Sequence, residues 1–70
     1  MSNKQTSEVV KRLTLARKVL GLSQERVAFD TGISQTHLSN IENGKKDPRL
    51  STVEKLMKEY ELEWNLCARS

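Results

Sequence analysis

Apolar residues recur at helical spacing in four segments of this chain, and glycines or short polar runs separate the segments. In the first segment the apolar positions are Val9, Leu13, Ala16 and Leu20. Their spacing of three and four residues predicts a helix that begins near a capping serine, Ser7. Leu15 and Val19 lie beside this stripe, so we expect a wide buried face. Residues 1–6 are polar and predict a flexible N-terminus.

Two short helices joined by a sharp turn are predicted between Ser23 and Gly44. Ser23 and Ser34 are good N-cap residues, and Gly32 can adopt the left-handed conformation that ends a helix. The inward-facing positions of the two helices are Val27, Ala28, Leu38 and Ile41. Helix, short glycine-containing turn and second helix form the pattern of a DNA-binding helix-turn-helix, in which the second helix reads the bases.

A fourth helix is predicted after a cap at Ser51. Its apolar stripe consists of Val53, Leu56, Met57 and Tyr60. We therefore expect one helical domain over residues 7–60, followed by a separate tail over residues 61–70.

The tail carries Leu62, Trp64 and Leu66 in strict alternation with polar residues, which favours a half-buried β-strand. A single strand on a helical domain lacks a hydrogen-bonded neighbour, and the simplest partner is the same strand of a second chain. We therefore predict that these three residues mediate dimerisation. A helix stays open as the alternative, because Tyr60, Trp64 and Cys67 also share a helical face.

The outward face of the second short helix is built from amide and hydroxyl side chains. Gln35, Thr36 and Asn40 are the candidates for contacts with base edges, and His37 and Ser39 can reach bases or backbone. Gln and Asn can pair with adenine through one donor and one acceptor, and hydroxyl groups fit several base edges. The candidates for contacts with the DNA backbone are Gln24, Ser34, Asn43, Lys45, Lys46 and Arg49.

Several short motifs resemble the phage repressor and Cro class of helix-turn-helix regulators, over roughly Leu13 to Tyr60. They are Leu22-Ser23-Gln24, Val27-Ala28, Gly32-Ile33-Ser34, Leu38, Ile41-Glu42, Gly44 and Pro48. The resemblance implies an all-α fold, a compact four-helix DNA-binding domain. It implies a structural ion pair between Arg17 and Glu42. It also implies that Gln24 binds a phosphate and braces Gln35.

Composition excludes several other functions. The 70 residues include 12 Lys and Arg against 9 Asp and Glu, a net charge of +3 that suits DNA without proving it. Aromatic residues make up 4%, too few for a platform that stacks single-stranded bases. One cysteine and one histidine do not make an ordinary metal site, and no nucleophile has a histidine at a suitable spacing. We therefore expect no enzyme activity, no metal and no cofactor. Without an apolar span or signal segment, we expect a cytoplasmic protein that does not contact membranes.

The predicted function is sequence-specific binding of double-stranded DNA by a homodimeric transcription regulator. The resemblance implies that it represses transcription from an operator with inverted half-sites. The tail is similar to that of persistence-type antitoxins, which implies an alternative: an antitoxin that represses its own operon and neutralises a kinase-type toxin protein. An adaptor module that keeps the fold without reading DNA is a third possibility, but the polar face of the second short helix speaks against it.

Overall fold

The computed structural model describes the backbone of residues 4–69 and the side chains of residues 8–66. Over this part of the chain there are four helices: α1 (Lys4–Val19), α2 (Gln24–Thr31), α3 (Gln35–Glu42) and α4 (Leu50–Arg69). Helices α1 and α2 each pack against both α3 and α4. The predicted all-α, four-helix class is confirmed. None of the described helices combines the length and apolar character that crossing a membrane requires.

The start of α2, the turn after it and the start of α3 follow the predicted local chemistry. The Ser23 hydroxyl accepts the backbone N–H of Arg26 at 3.0 Å, and the Ser34 hydroxyl accepts that of His37 at 3.1 Å. Gly32 has φ = +78°, and its N–H donates to the carbonyl of Ala28 at 3.0 Å. Because a side chain is strained at this φ, glycine is the residue suited to ending α2 here.

The core lies where the four helices meet. Its buried members are Leu22, Val27, Ile33, Leu38, Leu56 and Tyr60, against which Leu13, Ala16 and Leu20 pack. Three residues that we expected to bury are largely exposed: Leu15 (62%), Val19 (66%) and Met57 (56%). A small domain covers only one side of each helix, and these residues lie beyond the edge of the covered side.

Two helices begin earlier than predicted. Helix α1 starts at Lys4, so Lys4–Thr6 of the segment expected to be flexible has helical backbone. Met1–Asn3 lie outside the described residues. Helix α4 starts at Leu50, and the carbonyl of Arg49 accepts its first hydrogen bond, from Val53 N–H at 3.0 Å. Ser51 therefore lies inside the first turn of α4 and does not cap it.

The strand predicted for the tail is wrong, because α4 continues through it to Arg69. A helix completes its hydrogen bonds within its own segment, whereas a strand needs a second strand beside it. In the helix, Leu62 and Leu66 lie one turn apart, and Trp64 projects from another side. The strand-paired dimer and the likeness of the tail to antitoxins lose their basis. The side chain of Cys67, which we placed on a helical face with Tyr60 and Trp64, lies outside the described part.

Charged side chains connect α2 to the C-terminal half of α4. Arg26 donates to Glu63 at 2.9 Å and lies 3.6 Å from Asp30. The carboxylate oxygens of Asp30, Glu59 and Glu63 lie within 4.8 Å of one another. Burial raises the pKa of Glu59, and a hydrogen bond with Asp30 and the charges of Asp30 and Glu63 raise it further, against the opposing effect of Arg26.

We predict that Glu59→Gln increases the free energy of unfolding at pH 7. A carboxyl group whose pKa is raised by folding favours the protonated form. Its contribution to stability is therefore complete below its unfolded pKa of about 4.3 and is lost as the pH rises through the folded pKa. Glutamine keeps a hydrogen-bond donor for Asp30 without the charge. Urea denaturation should show the gain at pH 7 and little difference at pH 3.

The matched control is Glu54→Gln, which removes an exposed glutamate of α4 that makes none of these contacts. It should change stability little at either pH. A Glu59→Gln variant that is less stable than the wild type at pH 7 would contradict the predicted repulsion.

Candidate nucleic-acid interface

Helix α3 is held by one apolar side and presents a polar side to solvent. Leu38 and Ile41 are each 1% exposed and anchor the helix in the core. On the outward side Gln35 and Thr36 are exposed, and the remaining candidates, His37, Ser39 and Asn40, are half-buried. All five base-contact candidates therefore belong to one short helix, and none is fully buried.

Most of these side chains have unused hydrogen-bonding capacity. In the described part of the chain, no hydrogen bond engages the side chain of Gln35, Thr36, His37 or Asn40. The Ser39 hydroxyl accepts from the Asn43 amide at 3.3 Å. The outward side of α3 can therefore offer both donors and acceptors to a ligand.

Arg17 and Glu42, predicted as an ion pair, are brought together with two-point geometry. Arg17 Nε lies 2.8 Å from Glu42 Oε2, and Arg17 Nη2 lies 3.0 Å from Glu42 Oε1. The guanidinium also donates to the carbonyl of Leu22 at 2.8 Å. The two side chains are only 11% and 7% exposed. The hydrogen bonds to Glu42 raise the pKa of Arg17 against the lowering effect of burial. One charged pair thus fixes the C-terminal end of α3 to α1 and to the loop between α1 and α2.

Gln24 joins this pair instead of bracing Gln35 as the resemblance implied. Its amide nitrogen donates to Glu42 Oε1 at 2.9 Å. No hydrogen bond connects Gln24 to Gln35 among the described residues. Tyr60 lies near the pair, and burial, followed by the negative charge of Glu42, raises the pKa of Tyr60 to about 12 against the opposing effect of Arg17.

The loop after α3 folds back onto the end of that helix. The backbone N–H groups of Lys45 and Lys46 donate to the carbonyl of Asn40 at 2.8 and 3.3 Å. Gly44, with φ = +76°, permits this reversal. Both lysines and Arg49 are exposed. The two lysines therefore extend the polar surface of α3 with positive charge.

The residues predicted for dimerisation do not form one surface. Leu62, Trp64 and Leu66 are 53%, 59% and 63% exposed. Trp64 lines a groove between α1 and α4, whereas Leu62 and Leu66 line another beside Asp30 and the carboxylates of α4. This division follows directly from the helical conformation of the tail.

Several contacts were not predicted from the sequence. The ion pair of Arg26 with Glu63 depends on the helical conformation of the tail. The contact of Arg17 with Leu22 uses a backbone carbonyl, which every residue has, so the sequence does not indicate it. The four-residue spacing of Ser39 and Asn43 was a usable signal for their hydrogen bond. Phe29 of α2 is 87% exposed, so it does not pack under a neighbouring loop.

Comparison with known proteins identifies one family and several relatives. A helix-turn-helix family model matches residues 13–65. HTH-type transcriptional regulator PuuR of Escherichia coli (strain K12) is 44% identical over 52 residues, which make up 74% of this chain and 28% of that protein. The protein of the same name in Shigella flexneri matches to the same extent.

An uncharacterized HTH-type transcriptional regulator of Haemophilus influenzae is 35% identical over 49 residues, 70% of this chain and 50% of that protein. This chain therefore spans half or less of the length of these relatives. No solved structure matches it.

We predict that Glu42→Ala lowers the free energy of unfolding by about 3–5 kcal/mol, because it leaves the buried Arg17 charge without its partner. The double variant Arg17→Met/Glu42→Leu removes both charges and should lose less. Urea denaturation at pH 7 measures both changes.

Arg26→Ala is the matched control, because Arg26 takes part in ion pairs while its side chain is 56% exposed. It should cost no more than about 1 kcal/mol. Equal losses for Arg26→Ala and Glu42→Ala would contradict the structural role assigned to the buried pair.

Proposed function

The chain belongs to the helix-turn-helix family, and from this membership we propose that it binds double-stranded DNA and regulates transcription. The observation that carries the proposal is the two-sided character of α3. Its apolar side is buried, while its outward side offers amide and hydroxyl groups that are largely without hydrogen bonds to other described residues. The relatives named above are called transcriptional regulators, which supports the same function.

Base recognition is assigned to the first two turns of α3. The major groove of B-DNA is about 12 Å wide and admits one α-helix. Gln35, Thr36 and Asn40 would contact base edges, with His37 and Ser39 reaching bases or backbone. Gln35 and Asn40 are suited to adenine, because each side-chain amide can donate to N7 of the base and accept from its N6 amino group in a two-point contact.

Backbone recognition is assigned to the groups around α3. Lys45 and Lys46 lie at its C-terminal end, and Arg49 precedes α4. Ser34 and Gln24 add neutral donors at helix N-termini, where backbone N–H groups also favour phosphate, and Asn43 adds a neutral donor just after α3. Gln24 would contact phosphate while its amide remains bonded to Glu42, since each amide nitrogen carries two N–H donors. These contacts position α3 in the groove and do not read sequence.

We propose further that two copies act together as a repressor. A two-fold dimer would present two α3 helices to successive major grooves about 34 Å apart, which matches an operator with inverted half-sites. A bound dimer overlapping a promoter would exclude the polymerase. The antitoxin alternative is not proposed, because the described tail is helical and no other observation favours a toxin partner.

We predict that sites selected from random duplex DNA form an inverted repeat, and that Gln35→Ala relaxes the preference at one position of each half-site. Loss of one two-point base contact should cost about 1–3 kcal/mol on the selected site. Fluorescence anisotropy on the selected duplex and on single-base variants measures this change. Equal weakening on all these duplexes would remove Gln35 from the set of base-reading residues.

We predict that Lys46→Ala weakens binding to all duplexes similarly and reduces the salt dependence, because each phosphate contact releases counterions. Titrations at several salt concentrations measure the slope. Lys58→Ala is the charge-matched control, since it removes one exposed lysine of α4. If Lys58→Ala lowers the slope as much as Lys46→Ala does, the effect reflects net charge and the assigned backbone contact is wrong.

A further inference from the structure

An apolar groove of about 410 Å³ runs between α1 and the C-terminal half of α4. Leu15, Val19 and Trp64 line it and are 62%, 66% and 59% exposed. Met57 is 56% exposed and lies two helical turns before Trp64, on the same side of α4. Monomeric proteins rarely leave such apolar side chains uncovered together, so this groove has the character of an interaction surface.

We propose that the groove between α1 and α4 binds the same groove of a second copy of this chain. The inference rests on the proposed homodimer and names the surface that forms it. None of the residues assigned to DNA contact lines the groove. The same chain can therefore use α3 for DNA and the groove for its partner.

Opposite charges at the groove favour a second copy as the occupant. Arg12 on α1 and Glu61 on α4 line it, and neither takes part in an ion pair in the described part of the chain. In a two-fold interface, a contact from one residue to another occurs twice, once in each direction. Arg12 of each copy can thus face Glu61 of the other, giving two equivalent ion pairs around the apolar centre.

The other exposed side of α4 is less suited to self-association. There Leu62 and Leu66 lie beside the carboxylates of Asp30, Glu59 and Glu63. Arg26 is the cation paired with this cluster. A two-fold contact on that side would bring two acidic clusters together, and like charges facing each other across an interface are unfavourable.

A charge exchange tests the proposed pairing. Arg12→Glu and Glu61→Arg should each weaken the dimer about tenfold or more, because each places like charges opposite one another. The double variant restores opposite charges and should return the dissociation constant close to that of the wild type. Sedimentation equilibrium measures all four proteins. A double variant weaker than both single variants would overturn the pairing.

Replacement of an apolar groove residue tests the surface itself. Val19→Asp should dissociate the dimer, whereas the control Phe29→Ser, at an 87% exposed site outside the groove, should not. Both residues are largely exposed, so neither change disturbs the core. A wild-type chain that is monomeric at every concentration overturns the inference. So does a dimer that Val19→Asp leaves intact, since another surface must then hold it together.

Measurements of DNA binding distinguish a failure of the groove proposal from a failure of the proposed function. Monomeric Val19→Asp should lose affinity for the full inverted repeat but still prefer a single half-site duplex to a scrambled one. If the chain binds no duplex but its dimerisation responds to the charge exchange, the groove proposal is supported and the DNA-binding proposal is overturned. If the chain binds DNA but never dimerises, the DNA-binding proposal is supported and the groove proposal is overturned.

Discussion

A guanidinium group from α1 and a carboxylate from the last residue of α3 meet at 2.8 and 3.0 Å, and the two side chains are only 11% and 7% exposed. The same Arg17 bonds the carbonyl of Leu22, and the same Glu42 accepts from Gln24. Helices α1, α2 and α3 are therefore joined at one point. Helix α3 has only eight residues, so its two buried apolar residues, Leu38 and Ile41, define its orientation in the domain only weakly. The charged contact at its C-terminal end supplies the missing constraint.

The same small size that makes this contact important leaves α1 and α4 incompletely covered. A chain of 70 residues buries a limited core, and small domains commonly gain stability from association. Here α4 extends 20 residues, and its distal half contributes Trp64 to an open groove. Under the proposals above, one molecule separates two tasks: the polar side of α3 contacts DNA, and the apolar side shared by α1 and α4 contacts a second copy.

Features set by neighbouring residues were predictable from the sequence, and those that depend on distant partners were less so. The caps at Ser23 and Ser34 and the turn at Gly32 follow from local backbone rules. The tail was different, because alternation of Leu62, Trp64 and Leu66 fits a strand while Tyr60 and Trp64 fit a helical face. The choice between strand and helix depends on whether a second strand lies beside the tail, and the sequence pattern does not contain that information. For the same reason, neither the exposure of Leu15 nor the contact of Gln24 with Glu42 was predicted.

The most direct test of the central claim is a titration of the ¹⁵N-labelled chain with its selected operator, followed by two-dimensional NMR. We predict the largest amide shift changes at the start of α3 and in the loop carrying Lys45 and Lys46, with much smaller changes for a scrambled duplex. Changes concentrated along the groove between α1 and α4, or identical changes for both duplexes, would contradict the assignment of α3 as the helix that reads DNA.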